Sequence, residues 1–239
     1  MNKNVFFEAF KITIPIFFGY VSIGIPFGVM MVQAGYHWSL ALFMSVFMYT
    51  GAGQYTAVGL FTAGLGVFQI ALTEFFVNIR HIVYGLSLIE KFKGTGKAKP
   101  YLIFALTDET YALLASLEVP NRISKTEFYF YISFLNQAYW ILGTIIGSLL
   151  CTILERHGLS HILDNIDFAL TALFVVILTE QISKTKNIFS PLVGSFCCLV
   201  AVLLYRFSIL PSAWIIITAT AAALSLVFVV KGREYLKND

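Results

Sequence analysis

LTEFFVNIRHIVYGLSL, residues 72–88, sets a glutamate, an asparagine, an arginine and a histidine inside a stretch that is otherwise apolar. Read as a helix, Glu74, Asn78 and His81 fall at i, i+4 and i+7 and share one face, and Tyr84 extends that stripe. Arg80 lies four residues before Tyr84 and seven before Ser87, on an adjoining face. A soluble helix would turn such a stripe to water. Here the surroundings are too apolar. The chain is 58% hydrophobic and 12% charged, with a mean hydropathy of +0.81, whereas soluble domains carry about 25% charged residues. The fold class is therefore an all-α polytopic membrane protein. A charge at mid-bilayer costs about 2.5–3.5 kcal/mol on insertion scales and turns toward a bundle interior or a water-filled cavity.

About 20 apolar residues span a bilayer as a helix, which gives eight hydrophobic segments near 12–33, 38–62, 66–90, 100–117, 128–153, 166–183, 188–206 and 212–230. They leave no room for a soluble domain, so residues 1–239 read as one integral membrane transporter domain. With Glu8 and Lys11 ahead of the first span and no A-x-A-like cleavage site, no removable signal peptide is expected.

Orientation exposes a conflict. The loop KFKGTGKAK, residues 91–99, and the tail with Lys231, Arg233 and Lys237 both belong on the cytoplasmic side. Five segments separate them, and an odd number of crossings does not return to the same side. Segment 100–117, short and centred on Thr107-Asp108-Glu109-Thr110, is the one expected to be broken or re-entrant, so that seven or eight segments count as spans. Segment 38–62 carries Gly51-Ala52-Gly53-Gln54 at its middle. Two readings stand there: a broken helix that frees backbone groups for a ligand, or glycines that admit a close neighbour.

Gly24/Gly28 and Gly143/Gly147 form two G-x-x-x-G patterns and read as packing faces. Pro15 and Pro26 are expected to bend the first segment. Ala71–Ile79 and Ala169–Ile177 agree at six of nine positions, a faint echo that points to inverted three-helix repeats. Asn136 and Gln137 read as cross-helix hydrogen bonders, and Glu180 and Gln181, near Lys184, as interfacial groups. The cysteines Cys151, Cys197 and Cys198 lack metal or redox spacing and read as small apolar residues, so no metal site and no cofactor is expected. No basic face interleaved with aromatics points to nucleic acid.

The chemistry lies in the polar intrusions. Arg80 suits a carboxylate through its planar fork. Adjacent Asp108 and Glu109 in low dielectric disfavour joint ionisation and could receive an ammonium or a proton. His81 with Glu74 could relay protons near neutral pH. No Walker A, H-E-x-x-H or complete G-x-S-x-G sequence is present, so a secondary transporter fits better than an enzyme. The alternative is an intramembrane enzyme that pairs His81 with Asp108 or Glu109 as acid and base.

Gly51-Ala52-Gly53-Gln54, then Asn78-Ile79-Arg80-His81 with Tyr84-Gly85 and Ser87, then Thr107-Asp108-Glu109, resemble the AzlC family in order and spacing. The resemblance implies the large subunit of an exporter of branched-chain amino acids (leucine, isoleucine, valine) and methionine. It also implies proton coupling, a small AzlD-like membrane subunit and a place in the bacterial cytoplasmic membrane. It does not assign site residues. On polarity alone, Gly51, Gly53, Gln54, Asn78, Arg80, Tyr84 and Thr107 are the expected substrate pathway, and Glu74, His81, Asp108 and Glu109 the proton- or ammonium-handling groups.

Overall fold

The computed structural model describes residues 3–119, 123–163 and 188–209, with scattered positions between 168 and 183 and between 211 and 227. The expected segments 166–183 and 212–230, the second member of the echo and the charged tail lie outside these described residues. The regular structure among the described residues is helical: α1 Lys3–Gln33, α2 Trp38–Phe47, α3 Gly51–Thr62, α4 Val67–Asn78, α5 Arg80–Ser87, α6 Lys99–Phe104, α7 Asp108–Ser116, α8 Lys125–Arg156 and α9 Phe189–Arg206. Two of them, α1 and α8, are long and apolar enough to cross a membrane.

The chain divides into two compact units, one of residues 1–58 and 78–170, the other of 59–77 and 171–239. In the second, Thr73 of α4 is buried while Val67, Phe68 and Phe75 are exposed, and α9 exposes Leu192, Phe196 and Leu199. The first unit holds almost every polar residue singled out above.

That unit is built on α1 and α8, which run parallel. Phe6 meets Tyr131, Thr13 hydrogen-bonds Tyr139, Tyr20 packs on Trp140, and Ser148 reaches the Gly28 carbonyl. The two G-x-x-x-G patterns face each other. A Cβ on Gly28 would stand 2.3 Å from the Thr144 carbonyl oxygen, and one on Gly147 2.0 Å from that of Ile25. No side chain fits there, so the helices touch backbone to backbone, as small residues permit in lipid. α1 runs unbroken through Pro15 and Pro26.

This unit buries a set of polar side chains within its apolar core and turns large apolar side chains outward. Thr13, Ser45, Gln54, Thr110, Asn136 and Thr144 are fully buried, while Phe7, Phe18, Phe134, Leu150 and Ile153 are exposed. Water would favour the reverse; a hydrocarbon surround explains it.

Three of the expected segments are each two helices. The first breaks at Met48–Thr50, where Tyr49 adopts a left-handed φ of 41°, a conformation that costs a non-glycine residue about 1–3 kcal/mol and persists where neighbours hold it. The second breaks at Ile79, which corrects the reading of 72–88 as one helix. The cause is local: the His81 ring takes the Asn78 carbonyl at 3.0 Å, and the Ile82 N–H, deprived of it, turns to Ile79. The third breaks at Ala105–Thr107, inside the segment that sequence parity singled out.

Two of these broken segments fold back. Along α2 the contacts on α8 move from Thr144, met by Ser45, to Gln137, which donates to the Val46 carbonyl. After the break Gln54 returns to Ser45, and Tyr55 packs on Phe27 and donates to the Ile23 carbonyl. So α2 and the start of α3 form a hairpin with its tip at mid-α8. In the other hairpin, Tyr101 of α6 packs on Phe130 and donates to Gln137. Past the break, Thr110 meets Asn136, and the C-terminal carbonyls of α7 at Ala115 and Leu117 accept from Lys91 at 3.0 and 2.7 Å. Phe92, beside Lys91, packs on Tyr129, near the start of α8. The α6–α7 hairpin thus begins and ends beside the lysine loop.

Candidate functional site

Both hairpin tips and the α4–α5 break meet around the middle of α8. Three bonded clusters join them.

The first fixes the α2–α3 tip. Gln54 accepts from the Thr50 N–H at 3.2 Å and from Trp140 Nε1 at 2.8 Å, and donates to Ser45 at 3.1 Å. Ser45 in turn bonds Thr144. Gln54 thus uses both acceptor positions and one amide N–H, and holds the tip in place. Thr50 donates to Asn78 Oδ1 at 2.5 Å, which ties that tip to the α4–α5 break. Gly51 opens α3, and a Cβ there would lie 3.3 Å from the Trp140 ring, while Gly53 is buried one turn into the helix. The helix break of the first reading precedes Gly51, and Gly51 admits the close neighbour of the second.

The second cluster fixes the α6–α7 tip. Thr107 caps α7, accepting from the Thr110 N–H at 3.2 Å and donating to the Thr110 hydroxyl at 3.0 Å. An extended threonine followed by two acids is a strong helix start, because the acids complement the positive end of the helix. Asn136 donates to Thr110 at 3.0 Å, and Tyr20 of α1 bonds Thr107 and donates to Glu109 at 2.9 Å.

The third carries the charges. Arg80 Nη1 meets Asp108 Oδ2 at 2.9 Å, and the Tyr84 hydroxyl donates to Asp108 Oδ1 at 2.6 Å. Tyr84 stacks on Tyr111 with centroids 4.2 Å apart, and Ser87 donates to the Tyr111 hydroxyl. The Arg80 and Asp108 side chains keep 28% and 31% of their surface accessible, and Glu109 is exposed. At mid-helix depth, charged groups left this open face water or a ligand rather than lipid. Arg80 Nε is buried and makes no hydrogen bond. One edge of the guanidinium fork is spent on Asp108, and a donor on the other is unspent.

The N-termini of α3 and α7 both end at these tips, and so does the start of α5. Half-helix N-termini present free N–H groups and partial positive charge, the arrangement that receives anionic groups. Beside them stand a cation with a spare donor and two acids, a set able to hold a zwitterion by both ends.

Of the expected residues, Asn78, Arg80, Tyr84, Thr107, Asp108 and Glu109 come together here with Gly51, Gly53 and Gln54. His81 is half-buried, with its ring on the Asn78 carbonyl. Glu74 lies on α4, in the other compact unit. Sequence reasoning passed over Tyr20, Tyr49, Thr50, Thr110, Tyr111 and Trp140, which read as ordinary residues of apolar spans. The expected cross-helix bonding of Asn136 and Gln137 is present.

The chain matches the family model described as AzlC protein over residues 15–154. It is 40% identical over 184 residues to a protein of Helicobacter pylori (strain ATCC 700392 / 26695) named "Uncharacterized membrane protein", covering 77% of this chain and 78% of that one. It is 34% identical over 199 residues to the branched-chain amino acid transport protein AzlC of Bacillus subtilis (strain 168), covering 81% of this chain and 76% of that one. The inner membrane protein YgaZ of Escherichia coli (strain K12) is 28% identical over 190 residues, 78% of this chain and 77% of that one. No solved structure matches the chain.

Proposed function

The chain belongs to the AzlC family and has a membrane transport role, and from that premise we propose that it is the large subunit of a secondary exporter of branched-chain amino acids. Its substrates are leucine, isoleucine and valine, with methionine as a further one. It crosses the bacterial cytoplasmic membrane several times, is driven by the proton gradient, and works with a small AzlD-like membrane subunit. It transforms no substrate chemically. The substrate class rests on the similarity to the Bacillus subtilis branched-chain amino acid transport protein. The observation that carries the site is Arg80, whose Nη1 engages Asp108 while its buried Nε has no partner.

In this reading the substrate carboxylate takes the unpartnered Nε edge of the Arg80 fork, a charge-assisted hydrogen bond worth about 1.5–3 kcal/mol. The N-terminus of α3 at Gly51–Gly53 adds its dipole. Asp108 and Glu109 receive the α-ammonium. Asp108 already balances Arg80, so the occupied site holds two positive and three negative charges, and one proton on Glu109 evens the count. Proton handling falls to Glu109 and His81, with Glu74 seven residues before His81 in the chain.

The test is efflux of preloaded radiolabelled leucine from cells with and without this chain, each with and without the small subunit. Faster efflux that collapses with the proton gradient supports the reading. Unchanged efflux with both subunits inserted contradicts the amino acid assignment.

A further inference from the structure

The ladder between α5 and α7 has a direction. Arg80 meets Asp108, Tyr84 meets Asp108 and Tyr111, Ser87 meets Tyr111, and Lys91 meets the carbonyls of Ala115 and Leu117. Contacts advance along both helices together, so α5 and α7 run parallel. Because α5 runs toward the lysine loop, α7 runs toward it too. The α6 helix starts from that loop at Lys99, so the whole 99–117 segment leaves one end of the unit and comes back to it. Lys91 secures the return: its ammonium covers the last carbonyls of α7, where a cation is favoured.

The α2–α3 hairpin is the counterpart. It starts at Trp38, close to Leu149, Ile153 and Arg156 at the far end of α8, and past the tip Gln54 turns back to Ser45 of α2. At each tip the helix ladder is interrupted, so the first N–H groups of the following half-helix have no partner within their own helix. Such irregular backbone survives at membrane depth only under protein cover or beside a water-filled cavity. The tips cover one another on α8, at Gln137 for one and Asn136 and Gln137 for the other.

We infer that α2–α3 and α6–α7 are re-entrant hairpins that enter the membrane from opposite faces, with α6–α7 on the face of the lysine loop, and that each is the barrier between the site at the tips and its own face. This rests on the transport reading of that site and adds the route by which either face reaches it: displacing one hairpin opens the site to one side while the other still closes it. The inference also removes the parity conflict in the sequence. With 100–117 returning to its own side, four segments separate the lysine loop from the basic tail, and both stay on one face.

The test is side-specific labelling of single cysteines with a membrane-impermeant maleimide, in right-side-out and inverted vesicles. The full chain carries Cys151, Cys197 and Cys198 replaced by alanine. Lys93→Cys and Glu118→Cys bracket the α6–α7 hairpin, and Ser39→Cys and Thr62→Cys bracket α2–α3. The expected result is that Lys93→Cys and Glu118→Cys react from one face, and Ser39→Cys and Thr62→Cys from the other. Reaction of Lys93→Cys and Glu118→Cys from opposite faces overturns the inference for α6–α7, and a split between Ser39→Cys and Thr62→Cys overturns it for α2–α3. Labelling needs no transport. A chain that fails to export leucine but labels as expected loses the substrate assignment and keeps the hairpins.

Discussion

The α1–α8 pair and the hairpin tips solve opposite problems in the same medium. α1 and α8 are continuous and touch through glycines. The tips are discontinuous and gather Arg80, Asp108 and Glu109 around unpaired helix ends. In lipid, close packing of small residues is enough to hold helices together. Charges and broken backbone add cost, about 2.5–3.5 kcal/mol for a central charge on insertion scales. The comparison teaches that stability and function are assigned to different helices, with α8 serving both at successive levels: Gly143 and Gly147 meet α1, and Asn136, Gln137 and Trp140, earlier in the helix, bond the tips.

Substitutions on the two sides should therefore fail differently. The largest effect is expected at the frame. Gly147→Leu places carbon where the Ile25 carbonyl stands, so the helices separate and little folded protein reaches the membrane fraction. A yield and melting temperature near wild type would refute the backbone contact. Next is the site. Arg80→Ala should lower leucine efflux by about a hundredfold, the roughly 3 kcal/mol of a charge-assisted bond. Its melting temperature should stay within a few degrees of wild type, because the residue is partly solvated. Undiminished efflux would remove Arg80 from the substrate.

Gln54→Leu tests where the two regions join. It strips the partners from the Trp140 indole, the Thr50 N–H and Ser45, and buried groups left unpaired cost about 1–3 kcal/mol each. A clear fall in melting temperature together with slower efflux is expected. Lost efflux with unchanged melting would make Gln54 a substrate ligand rather than a holder of the tip. Tyr84→Phe removes one bond to Asp108 and keeps the Tyr111 stack, for a loss of about threefold to tenfold in efflux, or about 1 kcal/mol. Smallest of all is Ile146→Val on the exposed face of α8, which should change neither melting nor efflux beyond about twofold.

What the sequence showed and what it hid follow from the range of the interactions. The glycine pairs were legible because their spacing of four is a property of one helix. The break near Thr107-Asp108-Glu109 was legible because charge parity and a polar cluster in a short apolar segment point to the same place. The break at Ile79 was not, since it depends on the His81 ring turning back onto the Asn78 carbonyl where helix pattern alone reads through. Tyr20 and Trp140 were hidden for a different reason. They are ordinary aromatic residues of apolar spans, and their roles come from partners far along the chain, Thr107 and Glu109 for Tyr20 and Gln54 for Trp140. Glu74 shows the reverse hazard: helical spacing placed it on one stripe with Asn78 and His81, yet α4 ends at Asn78, before His81, and Glu74 lies in the other compact unit.

The central claim is that one site holds a zwitterion by both ends, with Arg80 on the carboxylate and the Asp108–Glu109 pair on the ammonium. The most direct measurement is competition against radiolabelled leucine counterflow in proteoliposomes holding both subunits. The two competitors are isopentylamine, which lacks the carboxylate, and 4-methylvalerate, which lacks the ammonium. The account predicts that unlabelled leucine competes and that each one-ended analogue is weaker by at least about a hundredfold. Competition by either analogue at the strength of leucine would contradict it.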